Sequence, residues 1–269
     1  MDKMTLVERF ASTSEQKILY SHLLDLMLRA ENRNVIMASG FLTEAEVDGA
    51  EKLLRAAGAS SYLFFGGYAD AERKCAIFLP DYFDVDAVLA EPSLAELVYL
   101  VASVNKFDMG AADFSHRDVL GSLMGLGIER DVVGDIVTDG VTAVMVVKAS
   151  IADFIAENLT KIGRYGVTVT VHERYHVTPK RDFEEGYDTV ASLRLDAVVS
   201  SIFKTSRGMA ADAIGGGLVS LNGAIMTKSD MTVREGDKIA FRGKGKAVLD
   251  KTDGLSKKGR IRFTFRRYR

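Results

Sequence analysis

Apolar residues recur along this chain with two periods, helical and alternating, and the switches between them mark out its elements. Over Ser14 to Arg29, Ile18, Leu19, Leu23, Leu26 and Met27 fall at helical spacing, enough for one core-facing stripe. The apolar run from Asn34 to Ala38 reads as a short strand. Thr43-Glu44-Ala45-Glu46 has the make-up of a capping box, and Val47, Leu53 and Leu54 carry the helix it opens as far as Gly58. Two further apolar runs, Ser61 to Phe65 and Cys75 to Leu79, lie around Gly66-Gly67 and predict a hairpin with a polar tip at Asp70 to Lys74. Pro80 and Pro92 then punctuate the chain.

From Leu94 to Val171 the order of elements carries more information. Leu97 to Val104 reads as a buried strand, and Ser115-His116-Arg117-Asp118 can cap a helix through Leu126 that Gly127 ends. Ile136-Val137 and Val141 to Val147 predict strands about Asp139-Gly140. Ser150 to Ile162 is an amphipathic helix ended by Gly163, and Val167, Val169 and Val171 alternate with threonine in a last strand. The result is β-α-β-β-α-β, a ferredoxin-like (RRM-like) order. RNA-recognition domains of this topology stack bases on aromatic residues of their central strands. Here those strands offer Tyr99 and otherwise Val, Ala, Met and Leu, so the domain is read as a scaffold or as an RNA binder using charge and shape, with the scaffold reading favoured. His172 to Thr189, with Pro179 and the charged run KRDFEEGYD, shows no sustained apolar period and is read as a linker.

The last block is the most specific. Leu193, Ala197 and Ser201, with Val198 and Ile202, give a first short helix. Ser206 is placed to cap a second, with Arg207 in its first turn, where a cation gains nothing from the helix dipole. An anion-binding role would explain the choice, because a helix start already offers free N–H groups to a phosphate. Gly215-Gly216-Gly217 stops that helix, Asn222-Gly223 is a strong two-residue hairpin signal, and Glu235-Gly236-Asp237 makes another turn. Lys246 to Lys258 reads as a polar loop. Gly259 to Arg269 alternates Ile261, Phe263 and Phe265 with Arg260, Arg262 and Arg266, predicting a terminal strand with a row of cations or merely a solvated edge.

RLDAVVSSIF, TSRGMAADAI, GLVSLNGAI and VREGDKIAFRG, in that order, resemble the RNA-binding domain (αL motif) of the small-subunit ribosomal protein S-four type. The resemblance implies an RNA surface at Arg194, Lys204, Ser206, Arg207, Asn222, Lys228 and Arg242. The neighbouring cations Lys238 and Lys244 and the strand cations Arg260, Arg262 and Arg266 would complete it. Gly216-Gly217 departs from the single glycine frequent in that family. HRDVLGSLMGLGIERDVVGDI (116 to 136) and SLRLDAVVSSIF extend the likeness, so that nearly the whole chain is similar to the YlmH family of bacterial proteins. That similarity implies non-enzymatic binding of structured RNA, chiefly rRNA of the large ribosomal subunit, with peptidyl-tRNA on stalled subunits.

Charge supports a polyanionic partner. The formal net charge of the 269 residues is −2, but positions 190 to 269 hold 17 Lys/Arg against 7 Asp/Glu, a net +10, leaving −12 elsewhere. One cysteine, Cys75, precludes an internal disulfide and fits a reducing cytosol, and no N-terminal apolar run suggests a leader or spanning helix.

Catalytic signals are weak. His172-Glu173-Arg174-Tyr175-His176 spells H-E-x-x-H, but in extended chain the two imidazoles lie about 13 Å apart, too far for one zinc. Arg194-Leu195-Asp196 resembles the aspartate motif of pseudouridine synthases, yet Asp196 is better read as a helix or arginine partner. His116, Arg117 and Asp118 form a conceivable acid-base set and, more simply, a capped helix start. Gly121, Gly125 and Gly127 do not make a dinucleotide fingerprint. No cofactor or metal is expected. The expected organisation is α+β: a mixed helical region at 1–92, the ferredoxin-like domain at 93–172, a linker at 173–189 and the S-four-type domain at 190–269. An RNA-modifying enzyme (pseudouridine synthase-like or methyltransferase-like) with its site in the N-terminal half, and a protein-interaction adaptor, are the alternatives.

Overall fold

Asp2 opens the first helix, α1 (Lys3–Phe10), by accepting a hydrogen bond from the Thr5 N–H. In this computed structural model, which describes residues 2–178 and 183–268, α2 (Ser14–Arg33) follows from a Thr13 cap. It ends at Asn34 in the left-handed region (φ 59°), so the strand expected from Asn34 starts later, as β1 (Met37–Leu42). The Thr43–Glu46 capping box is formed and opens α3 (Glu44–Ala57), which stops at Gly58. Strands β2 (Tyr62–Phe65) and β3 (Lys74–Phe78) pair antiparallel as predicted, and β3 pairs with β1 on its other side. One face of this small sheet packs Ala76 and Phe78 against Tyr20, Leu23, Leu53 and Leu54 of the helices.

Helix α4 (Val85–Ala90) and a 3-10 turn at Pro92–Ala95 lead into β4 (Leu97–Val104), the strand read from the sequence. Then come α5 (His116–Gly125), β5 (Val133–Thr138), β6 (Thr142–Lys148), α6 (Ala149–Asn158), β7 (Lys161–Ile162) and β8 (Tyr165–His172). The spatial order is β5-β6-β4-β8-β7, with every neighbouring pair antiparallel. This β-α-β-β-α-β order puts both crossover helices on one face. There Val98, Leu100 and Ala102 of β4 and Met145 and Val147 of β6 meet Val119, Leu123, Ala152 and Ile155. Helix α6 is shorter than expected. Leu159 and Ile162 stay in the core, but Lys161-Ile162 turn back about Gly163 (φ 57°) to pair with Tyr165-Gly166.

The opposite face of this sheet is not open. Leu97, Tyr99 and Val146 share one buried cluster with Phe41, Phe65, Cys75 and Ile77, so the small sheet covers it. Gly134 marks the close approach: a Cβ there would lie 2.5 Å from the Phe41 ring. The regions at 1–92 and 93–172 therefore share a core and form one compact unit, Met1–Lys180, with Arg181–Arg269 as the second. Cys75 is fully buried in that cluster, and burial pushes its thiol up to about 12.

In the second unit, β9 (Phe183–Val190) replaces the C-terminal half of the expected linker. As an edge strand with one open face, it alternates polar residues with few apolar ones, and so lacks the pattern of a buried strand. Pro179 and the Lys180-Arg181-Asp182 start of the charged run lie outside the described residues. Next come α7 (Leu195–Ile202), α8 (Arg207–Gly215), β10 (Val219–Leu221), β11 (Ala224–Ile225), β12 (Lys238–Phe241), β13 (Gly245–Leu255) and β14 (Ile261–Tyr268). They build a six-stranded antiparallel sheet in the order β11-β10-β12-β13-β14-β9. Asn222 and Gly223 have φ of 51° and 80°, the two positive values a type I′ turn requires. Two expectations are corrected. Most of the presumed loop at 246–258 is β13, because Ala247 and Leu249 have a core to enter. The terminal strand β14 is not an edge, since β13 and β9 flank it.

Val219, Ile239, Phe241, Leu249, Phe263 and Phe265 face the helices, where they meet Leu195, Val198, Val199, Ile202, Ala210 and Ile214. Among the described residues of the chain, no helix is long and apolar enough to cross a membrane.

Candidate nucleic-acid interface

Asp196, in the first turn of α7, is 5% exposed and holds two arginines. Arg194 reaches its two carboxylate oxygens through Nε and Nη2, each at 3.3 Å. Arg207, at the start of α8, does the same at 3.1 and 3.3 Å. Burial raises the Asp196 pKa, and the hydrogen bonds from Arg194 and Arg207 together outweigh it, leaving the carboxyl below its ordinary value. Each guanidinium has five N–H donors and spends two on Asp196, so three remain for other acceptors. The Arg194 and Arg207 side chains stay 41% and 54% exposed. Asp196 is thus an arginine partner, as the sequence reading favoured.

Lys204 sits in the turn between the two helices with φ 50° and reaches Asp188 of β9 at 3.4 Å. Asp188 also accepts from Ser201 Oγ at 2.5 Å and from the Thr189 N–H at 2.7 Å. Its burial is likewise outweighed by these bonds, and its pKa is lowered. Ser206 caps α8 by accepting from the Met209 N–H at 3.1 Å. Arg260 donates to the hydroxyl and carbonyl of Thr189. Arg207, Arg260, Asp188 and Ser201 line one open groove of about 320 Å³ beside α7. The helix-side cations of the sequence reading therefore do come together, on one side of the sheet.

The remaining predicted residues go elsewhere. Strand register places Arg262 and Arg266 with Lys238 on the sheet face away from the helices. Arg266 is held by both oxygens of Asp250 at 2.8 to 3.0 Å and lies 4.9 Å over the Phe183 ring, and the Asp250 hydrogen bonds raise its pKa. Arg262 donates to the Leu255 carbonyl. Asn222 is committed to the fold: its amide donates to Asp237 and accepts from the Lys238 N–H, bracing the hairpin against β12. Lys228, Arg242 and Lys244 are exposed in loops and turns. Sequence reasoning missed Asp188 and Thr189, the residues that aim Lys204 and Arg260, because both lie in the presumed linker.

Comparison with known proteins places this geometry. The family model described as "Putative RNA-binding domain in YlmH" matches residues 98–175, and the S4 domain model matches residues 193–239. The chain is 38% identical over 206 residues to the ribosome-associated protein quality control protein P2 of Bacillus subtilis (strain 168), covering 76% of this chain and 77% of that protein. The chain belongs to the YlmH family. A solved structure, the cell division protein ylmH from Streptococcus pneumoniae, superposes with a TM-score of 0.48 at 19% identity, over 60% of this chain and 93% of the other.

The YlmH-like stretch at 116–136 has a structural role in the first unit. Ser115 and Asp118 form a reciprocal cap on α5, and the hydrogen bonds from Ser115 hold the Asp118 carboxyl below its ordinary range. Asp135 accepts from Tyr68 Oη at 2.6 Å and from the N–H groups of Glu72 and Arg73 at 2.7 and 3.0 Å. Arg73 donates to the carbonyls of Phe41, Arg130 and Val133, and Arg130 to those of Val133 and Gly134. Burial lowers the Arg130 pKa to about 10. These bonds tie β5 to the small sheet that covers its neighbours. His172 ends β8, with a ring nitrogen 2.9 Å from Thr170 Oγ1, and His176 lies beyond a bend, so the H-E-x-x-H segment forms no helical turn.

Proposed function

We propose that this YlmH-family protein is a non-catalytic RNA-binding factor that docks its C-terminal unit on folded rRNA of the large ribosomal subunit, including subunits that retain peptidyl-tRNA. The observation that carries the reading is the pair of arginines clasped by Asp196 beside Lys204 and Arg260. Their forked donors are pre-aimed, so little side-chain entropy is lost when phosphates arrive. The Arg207 and Gly208 N–H groups at the start of α8 add donors of the kind that receive phosphate. The S4 match over 193–239 and the relative named for ribosome association point the same way. Recognition would follow shape and backbone, the mode that suits helical and junction RNA.

The test is co-sedimentation of the full chain with large subunits, prepared with and without peptidyl-tRNA, across a salt titration. Lys204→Gln with Arg207→Gln should weaken binding at least tenfold and make the log–log salt slope less negative by about 2, one for each phosphate no longer neutralised. Circular dichroism should show an unchanged fold. Binding that survives both the double substitution and high salt would refute the reading. Preference for peptidyl-tRNA-bearing subunits supports the finer part, and equal binding removes it.

A further inference from the structure

The face of the C-terminal sheet opposite α7 and α8 has its own chemistry. By register it presents Phe183, Glu185 and Tyr187 of β9, Arg262, Thr264, Arg266 and Tyr268 of β14, and Lys246, Val248 and, opposite Thr264, Lys251 of β13. Of these only Val248 is buried, whereas their neighbours on the helix side, Ala247, Leu249, Phe263 and Phe265, all are. Tyr187 is 85% exposed on a regular strand, directly opposite Thr264. Phe183 and Tyr268 meet edge to face at 4.9 Å, and Arg266 closes over Phe183. The three aromatic residues therefore line one edge of the face, beside the cations of β14 and β13. All of these residues lie outside the 193–239 match.

A sheet face carrying an exposed ring next to cations is how sequence-tolerant binders hold unpaired nucleotides: the ring stacks a base and the cations hold phosphates. A helical RNA keeps its bases stacked inside and would leave Tyr187 without a partner. We propose that this face is a second RNA surface, taking an unpaired base of a single-stranded segment against Tyr187, with Arg262 and Lys251 holding the flanking phosphates. It rests on the RNA-binding reading above and deepens it. The helix side receives the folded element, and the outer face receives a neighbouring unpaired strand. Arg266 acts as a positioning residue there, since Asp250 fixes it over Phe183.

The experiment uses the full chain with two labelled probes, an oligouridylate of about eight nucleotides, long enough for one stacking site and its flanks, and a fully paired RNA hairpin. Tyr187→Ala should weaken the oligouridylate about tenfold, within the usual range for loss of one base stack, and leave the hairpin unchanged. Tyr187→Phe, which keeps the ring, should bind like the parent. Arg207→Gln should show the reverse preference, weakening the hairpin more. The ring is outside the core, so folding is not at stake. If Tyr187→Ala leaves oligouridylate binding intact, or weakens both probes equally, the second surface is wrong while the helix-side site stands. If the parent protein binds neither probe, both readings fall.

Discussion

Two antiparallel sheets, one in each unit, meet opposite fates in this chain. In the first unit, β4 and β6 are covered on both sides, by α5 and α6 on one face and by the small β1-β3-β2 sheet on the other. In the second, helices cover one face and the described residues of the unit leave the other open. The first sheet has the topology in which RNA-recognition domains stack bases, yet its one central tyrosine, Tyr99, is 2% exposed and its phenol is pushed up to about 12 by burial. The second has a different topology and carries Tyr187 in the open. Topology alone is thus a poor guide to which sheet can meet a base. What decides is whether another layer has already taken the face.

The comparison can be tested at its joints. The largest expected effect is at Asp135, which satisfies three donors in the brace between the sheets. Asp135→Ala should destabilise the protein by about 3 kcal/mol, because it removes the acceptor of three hydrogen bonds, from Tyr68 Oη and two backbone N–H groups. Urea unfolding followed by circular dichroism reads this, the chain having no tryptophan. Binding of the RNA hairpin, proposed above for the other unit, should not change, and a parallel loss would show that the covered sheet does more than support. Gly134→Val should cost about 2 kcal/mol by forcing a side chain into the Phe41 ring, and a neutral result would mean the two layers are not closely packed.

The smallest effect is electrostatic and belongs to the second unit. Asp196 and Asp188 have native pKa values below their unfolded ones. Their contribution to stability is present above the unfolded carboxylate pKa, near 4, and is lost as pH falls through the lower native values. Asp196→Asn should therefore cost about 1 kcal/mol at pH 7 and converge with the parent at acid pH, where both side chains are uncharged. A difference that persists undiminished in acid would mean that the clasp is held by shape and not by charge.

Legibility followed what each segment had to encode locally. Caps and turns were readable because they need particular residues: Thr43 with Glu46, Ser115 with Asp118, Ser206, and Asn222-Gly223 each stand where expected. So was β4, whose mostly apolar run LVYLVASV reads as a buried strand. Strand β9 was not readable. As FEEGYDTV it packs little more than Val190 into the core, gives most other positions to polar residues on both faces and leaves Tyr187 exposed, which in sequence is indistinguishable from a linker. Of the candidate RNA residues, Arg207 and Arg260 line the groove, Arg194 joins Arg207 on Asp196 and Lys204 reaches Asp188, whereas Asn222 turned out to brace a turn.

The amino-acid order alone determined the local units, the αL-type segments with their cations, and the split of charge between an acidic body and a basic end. Tertiary structure decided which faces those units hide, that Asp196 clasps two arginines 11 and 2 residues away, and that Arg262 and Arg266 of β14 face away from the helices. The physical reason is one of range. A period or a cap is written within a few neighbouring residues, while the partner of a face is chosen by whichever distant layer buries it at least cost.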